Sequence, residues 1–178
     1  MKDRVREVVF NLLGPRIRDK YAVDLFAGTG ALGLEAISRG AIGGMFVEQH
    51  FPTSRVIEDN IRTLGMEDQT HVLAADTFIW MRRHEGLPLS TPWAVFCSPP
   101  YAFYIDRREE MLRLIAEVVA AAPPDSLIVV ETDARFDWQL LDEPDAWSLR
   151  RFPPAVVGIR QIESSPQEDN NRDDSETS

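Results

Sequence analysis

Cysteine is nearly absent from this 178-residue chain, which has only Cys97. That excludes an intrachain disulfide framework and makes a reducing, cytoplasmic home the simplest expectation. Histidine is scarce too: His50, His71 and His84 are scattered, and neither C-x-x-C nor H-E-x-x-H occurs. No metal site is expected on that basis. Apolar runs long enough to cross a bilayer are also missing. The opening MKDRVREVVF lacks the basic, apolar and small-residue layout of a signal peptide, so neither a membrane span nor export is expected. No internal repeat breaks the chain, and 44% hydrophobic residues suffice for one full core.

The net charge of −10 is unevenly spread. From Glu163 to Ser178 the chain reads ESSPQEDNNRDDSETS, whose six acids against Arg172 carry half of that charge. With no apolar residue after Ile162, residues 163–178 are expected to be an acidic disordered tail behind a single domain at 1–162. The acidic body argues against non-specific nucleic-acid binding but leaves room for a local basic patch.

Periodicity predicts alternating elements. RVREVVFNLL (4–13) carries a helical apolar stripe ended by Gly14-Pro15, and YAVDLF (21–26) reads as a buried strand. A helix through ALGLEAISRG, a strand GMFVE (44–48) and a helix from Pro52 to Gly65 follow. Next come HVLAA (71–75) as strand, TFIWMRR (77–83) as helix and WAVFC (93–97) as strand. REEMLRLIAEVVAA (108–121) has the clearest amphipathic period, and SLIVVET (126–132) returns as strand. WSLRRF (147–152) and AVVGIRQI (155–162) flank Pro153-Pro154 as an antiparallel hairpin. The expected class is α/β: an open, mostly parallel sheet with an antiparallel edge.

Within VDLFAGTGALGLEA (23–36), Gly28, Gly30 and Gly33 have the G-x-G-x-x-G spacing of a dinucleotide loop. Asp24 precedes it by four residues, and a carboxylate there faces a pyrophosphate poorly. It suits a ligand that carries an ammonium and a sulfonium. Glu48, at the end of the second strand, fits a ribose-hydroxyl acceptor in either case. A tight strand-to-helix turn without any ligand remains the plainer alternative.

A second motif, Ser98-Pro99-Pro100-Tyr101, closes the strand WAVFC. Two prolines fix φ and bring carbonyls with no competing N–H. Such a corner can aim the Ser98 side chain and the Pro99 carbonyl at one exocyclic amine, with the Tyr101 ring as a stacking face for a flipped-out base. The competing reading is a Pro-Pro turn with Tyr101 as ordinary packing. Cys97 is read as a buried strand cysteine, because alternation turns it away from the Ser98 face.

Residues 3–163 resemble the RsmD family, class I AdoMet-dependent methyltransferases that modify the exocyclic N2 of a guanine in small-subunit ribosomal RNA. The resemblance is carried by DRVRE-VVFNLL (3–13), DLFAGTGALGLEAISRGA (24–41), FVE (46–48), Asp76 and PPY (99–101). It implies a Rossmann-like class I methyltransferase fold with a mostly parallel seven-stranded sheet and helices on both faces. It also implies S-adenosyl-L-methionine (AdoMet) as methyl donor, S-adenosyl-L-homocysteine as product, no metal, and a monomer acting on ribosomal RNA or a small-subunit assembly particle.

By that resemblance Asp24 holds the methionine ammonium region, Phe26, Ala27, Gly28, Thr29, Gly30 and Ala31 form the loop beside the ligand, Glu48 binds the ribose hydroxyls and Asp76 accepts from the adenine amine. Ser98, Pro99, Pro100 and Tyr101 form the transfer site. For RNA the candidates are Arg4 and Arg6 first, then Arg16, Arg18 and Lys20, with the pairs Arg82-Arg83, Arg107-Arg108 and Arg150-Arg151; phosphate contacts of this kind position RNA without reading its sequence.

Two departures stand out. The family pattern has Asp where this chain has Ser98, the residue found there in N4-cytosine amino-methyltransferases. Only Met1-Lys2 precede DRVRE, so contacts from a longer N-terminal arm are expected to be missing or shortened. Ser98 keeps open N4-cytosine, N6-adenine or a protein amide as acceptor, and also a catalytically decayed module that binds AdoMet or RNA.

Overall fold

The computed structural model describes residues 1–163, so the tail expected at 163–178 lies, apart from the exposed Glu163, outside the described residues. Seven strands form one sheet: β1 (Tyr21–Asp24), β2 (Gly43–Val47), β3 (Thr70–Leu73), β4 (Trp93–Cys97), β5 (Leu127–Asp133), β6 (Ser148–Phe152) and β7 (Ala155–Gln161). Their order across the sheet is β3-β2-β1-β4-β5-β7-β6, with β7 antiparallel to both β5 and β6 and the first five strands parallel. The order reverses between β1 and β4, and open α/β sheets bind ligands at the carboxyl ends of strands beside such a switch point.

Six helices cover the sheet: α1 (Asp3–Leu13), α2 (Ala31–Ser38), α3 (Phe51–Leu64), α4 (Thr77–Met81), α5 (Phe103–Asp106) and α6 (Arg108–Ala121). Strand alternation splits the core between the two faces. Ala22, Ala94, Phe96, Leu127 and Val129 point toward α1, α2 and α3, where Phe10 packs on Phe96 with ring centroids 5.3 Å apart. Val23, Val95, Cys97, Ile128 and Val130 face α4 and α6, through Met81, Met111, Leu114 and Val118. The acid-bearing positions Asp24 and Glu131 follow the first set in register, so both fall on the α2 side.

Several element ends differ from the sequence expectation by one or two residues, β1 for example ending at Asp24 and α4 at Met81, and one helix is new. β3 ends at Leu73 rather than 75, because Asp76 Oδ1 accepts from the backbone N–H groups of Phe78 and Ile79 and commits the chain to the start of α4. The short α5 was not foreseen; its four residues are too few for a periodic signal. Both ends of α6 agree with the pattern at 108–121.

Gly158 in β7 is required by packing rather than by backbone conformation. A Cβ there would lie 2.2 Å from the Trp138 ring. Gly158→Ala is expected to destabilise the chain by about 1–3 kcal/mol, the usual cost of overpacking. Chemical denaturation measures this; an unchanged midpoint would show that Trp138 moves away freely.

Candidate active site

Strand β1 ends at Asp24, which is fully buried. Its Oδ2 accepts from the Gly33 N–H at 3.0 Å, while Oδ1 is buried with no hydrogen-bond partner. Burial is the main cause that lifts its pKa to about 7; the Gly33 bond and the positive N-terminus oppose the shift, and Glu48 adds to it. Asp24 therefore lies beneath the glycine loop rather than in the cavity wall. Above it, Gly28 takes φ 54° and Gly30 φ 83°, a left-handed region that glycine enters without steric cost. Gly33 serves a different need, since a Cβ there would sit 2.4 Å from the Phe46 ring and lift α2 off the sheet.

From the end of β2, Glu48 braces the same loop. Its Oε2 accepts from Gly28 N at 2.9 Å and its Oε1 from His50 N at 2.8 Å. The loop bounds a cavity of about 670 Å³, within the size range of small-molecule sites. Phe26, Ala27, Gly28, Thr29, Ala31 and Glu48 are among the residues that line it. Phe78 and Phe103 add apolar rings, with Phe26 5.7 Å from Phe78 and 6.1 Å from Phe103 between centroids. The Arg107 guanidinium sits 4.0 Å from the Phe78 centroid, on the cationic stacking geometry that rigidifies such a ring.

Ser98, Pro99, Pro100 and Tyr101 line the same cavity. The diproline corner is fixed to α5, where Phe103 N donates to the Pro100 carbonyl at 2.9 Å. Among the described residues, no hydrogen bond goes to the Pro99 carbonyl. Ser98 Oγ donates to Glu131 Oε2, and Tyr101 Oη donates to Glu131 Oε1 at 2.8 Å. The backbone carbonyl of Glu131 accepts from Tyr104 Oη at 2.9 Å. Burial first, then the Glu131 carboxylate, pushes the Tyr101 phenol up, so it stays a donor at neutral pH. Met1 also reaches this corner: its amine donates to Ser98 Oγ at 3.1 Å and lies 3.3 Å from Glu131 Oε2. Beside it, Cys97 is buried on the opposite face, its thiol pushed up to about 12 mainly by desolvation.

The remaining candidates divide. Arg6 lines the cavity, together with Met1 and Lys2, and pairs with Asp3 at 3.0 Å; Arg4 lies exposed on α1 outside the cavity wall. Gly30 sits under α2 rather than in the wall, its Cβ position 3.0 Å from Ile57 Cγ2. Asp76 caps α4 and is set back from the cavity, whose wall at that point is Thr77 and Phe78.

The family model described as Conserved hypothetical protein 95, that of the RsmD family, matches residues 1–153. Ribosomal RNA small subunit methyltransferase D of Escherichia coli is 36% identical over 152 residues, 84% of this chain and 70% of that protein. The chain belongs to the RsmD family. A conserved hypothetical protein of Streptococcus pyogenes superposes with a TM-score of 0.73 at 26% identity, covering 89% of this chain and 95% of that one. The fold also matches an RNA methyltransferase of Salinibacter ruber, solved with S-adenosyl-L-homocysteine, at a TM-score of 0.66 and 15% identity over 95% of this chain and 97% of that one. This RsmD-family chain thus has the class I methyltransferase fold, and none of its described helices is long and apolar enough to cross a membrane.

Glu131 is the functional candidate that sequence reading missed in this RsmD-family chain. It is 2% exposed and joins the cavity only through the β4–β5 pairing, in which Cys97 opposes Val130 and the next residues, Ser98 and Glu131, come side by side. The available signal was an acid at the end of the apolar run SLIVVET, where a charge is costly unless it has partners.

Proposed function

We propose that this chain transfers a methyl group from AdoMet to an exocyclic amine of small-subunit ribosomal RNA, with guanine N2 as the target. One observation carries the reading: the glycine loop braced by Glu48 and the Ser98-Pro99-Pro100-Tyr101 corner line one and the same cavity. Family membership supports it, as does the name of the Escherichia coli relative. A cytoplasmic monomer that meets its RNA in an assembling subunit is the setting that fits this reading.

The residues present suit AdoMet. Open space above Gly28, where a Cβ would meet nothing within 4 Å, leaves room for close backbone approach. Among the described residues Asp24 Oδ1 has no partner, and it lies under the loop, where a carboxylate complements a ligand that carries an ammonium and a sulfonium. Glu48 suits ribose hydroxyls, and Phe26, Phe78 and Phe103 suit an aromatic base, while Asp76 is set back from the cavity as the cap of α4. When bound, AdoMet supplies a methyl group activated by its sulfonium.

The protein's own part is orientation and polarity. An aromatic amine is a weak nucleophile because its lone pair is delocalised into the ring. Ser98 Oγ and the Pro99 carbonyl can accept its two protons and localise that pair, while Tyr101 flanks the base. No covalent enzyme intermediate is required. Lys2 and Arg6 at the cavity mouth suit phosphate contacts that hold the RNA in register.

Isotopically labelled AdoMet is incubated with undermethylated small subunits, free ribosomal RNA, DNA and a protein extract. Label is expected in small-subunit RNA and, after nuclease digestion, on N2-methylguanosine. Label on cytosine, adenine or protein would move the acceptor, and donor binding without transfer anywhere would overturn the enzyme reading.

A further inference from the structure

Ser98 and Tyr101 share one anchor, and it lies on a different strand. Both oxygens of the Glu131 carboxylate are engaged by hydroxyl donors from the diproline corner, and its side chain borders the cavity beside them. A hydroxyl that donates to a carboxylate turns its lone pairs away from that bond, here toward the cavity, and becomes a stronger acceptor through polarisation. The Met1 nitrogen shows that the space beside Ser98 Oγ admits an N–H donor, which bonds Ser98 Oγ at 3.1 Å and lies 3.3 Å from Glu131 Oε2.

We propose that Glu131 is the carboxylate of the methyl-transfer centre, working through Ser98 as a positioning residue and final proton acceptor. The inference rests on the methyltransferase reading above and adds to it the group that orients the acceptors and removes the proton. A target amine takes the place of the Met1 nitrogen. Its nitrogen forms the bond to the methyl carbon as the carbon–sulfur bond breaks and that electron pair stays on sulfur. The methylated nitrogen then gives one proton to Ser98 Oγ, as the Ser98 hydroxyl proton passes to Glu131 Oε2. The product leaves as a neutral secondary amine, and the proton on Glu131 returns to solvent once the site opens. Serine alone cannot finish this step, because a neutral hydroxyl is a poor resting place for the proton. Two hydroxyls converging on a carboxylate that is 2% exposed make it possible.

Glu131→Gln keeps the shape and removes the charge. In the full chain, kcat for label transfer to small-subunit RNA is expected to fall at least about 100-fold. KM for RNA and the calorimetric Kd for AdoMet should each stay near the wild-type value, while the melting midpoint drops modestly as two charge-assisted bonds become neutral ones. The double variant Ser98→Asp, Glu131→Gln places a carboxylate on the neighbouring strand and is expected to recover at least about tenfold of the lost kcat, a rescue that a purely structural role would not give. An active wild type beside an equally active Glu131→Gln would overturn this inference alone. So would a lowered melting midpoint with lost AdoMet binding and no rescue in the double variant. A wild type that binds AdoMet yet methylates nothing would overturn the functional reading and this inference with it.

Discussion

With Ser98→Ala and Tyr101→Ala combined, methyl transfer is expected to fall by about three orders of magnitude while AdoMet affinity stays within a few-fold. The separation follows from where the bonds run. Both hydroxyls donate to Glu131, and among the described residues neither is hydrogen-bonded to the Gly28 loop or Glu48. Removing them strips the acceptor side of the cavity and leaves the donor side as it is. Glu131 loses two charge-assisted bonds in the double variant, so the melting midpoint should also drop, though less than the rate. Single-turnover kinetics with calorimetric AdoMet binding gives both numbers; unchanged turnover would remove the diproline corner from the site.

Asp24→Asn should have opposite effects on stability and on binding. Burial raises the folded-state pKa of Asp24 to about 7, above its ordinary value near 4. The folded chain therefore holds a proton that the unfolded chain releases between those two values. Below about pH 4 both states are protonated and the carboxyl costs nothing. As pH rises through the window the charge must be accommodated in the core, and stability falls until the folded group has titrated near pH 7. A shift of about three pH units corresponds to about 4 kcal/mol at most.

Asparagine keeps an oxygen for the Gly33 N–H and never charges. The variant should match wild type at pH 4 and melt progressively higher than wild type toward pH 8, in ligand-free protein. Its AdoMet affinity should be weaker by at least about tenfold, because the neutral side chain no longer complements the ammonium and sulfonium of the donor. Melting curves across that pH range test the first part: a difference that does not change with pH would show that Asp24 is not the titrating group.

Much of this arrangement was legible in the chain because it is local. The glycine loop, its preceding acid and the diproline corner each lie within a few consecutive residues, and the α6 period and the hairpin need no distant partner. Resemblance to a family joined those pieces into one site. What stayed hidden depends on pairing at long range. Glu131 is 33 residues from Ser98 and meets it only once β4 and β5 are in register. Phe78 and Phe103 reach the cavity from two separate helices, and their spacing in sequence reads as ordinary core. Asp76 was correctly placed after the third strand, but the bond that holds it as a cap runs to its own backbone two and three residues on, a local use that competes with a ligand role. Asp24 likewise reads as a ligand acid by position, while its depth beneath Gly33 is a matter of how α2 lies on the sheet.

The brace on the glycine loop also bears on the order of events. Gly28 is tied to Glu48 from one strand end and Gly33 to Asp24 from another, so the loop is gripped at both ends before anything arrives. A guest molecule enters a mould already set, and on-rates should depend on access past Met1 and Lys2 rather than on any slow rearrangement of the cradle itself.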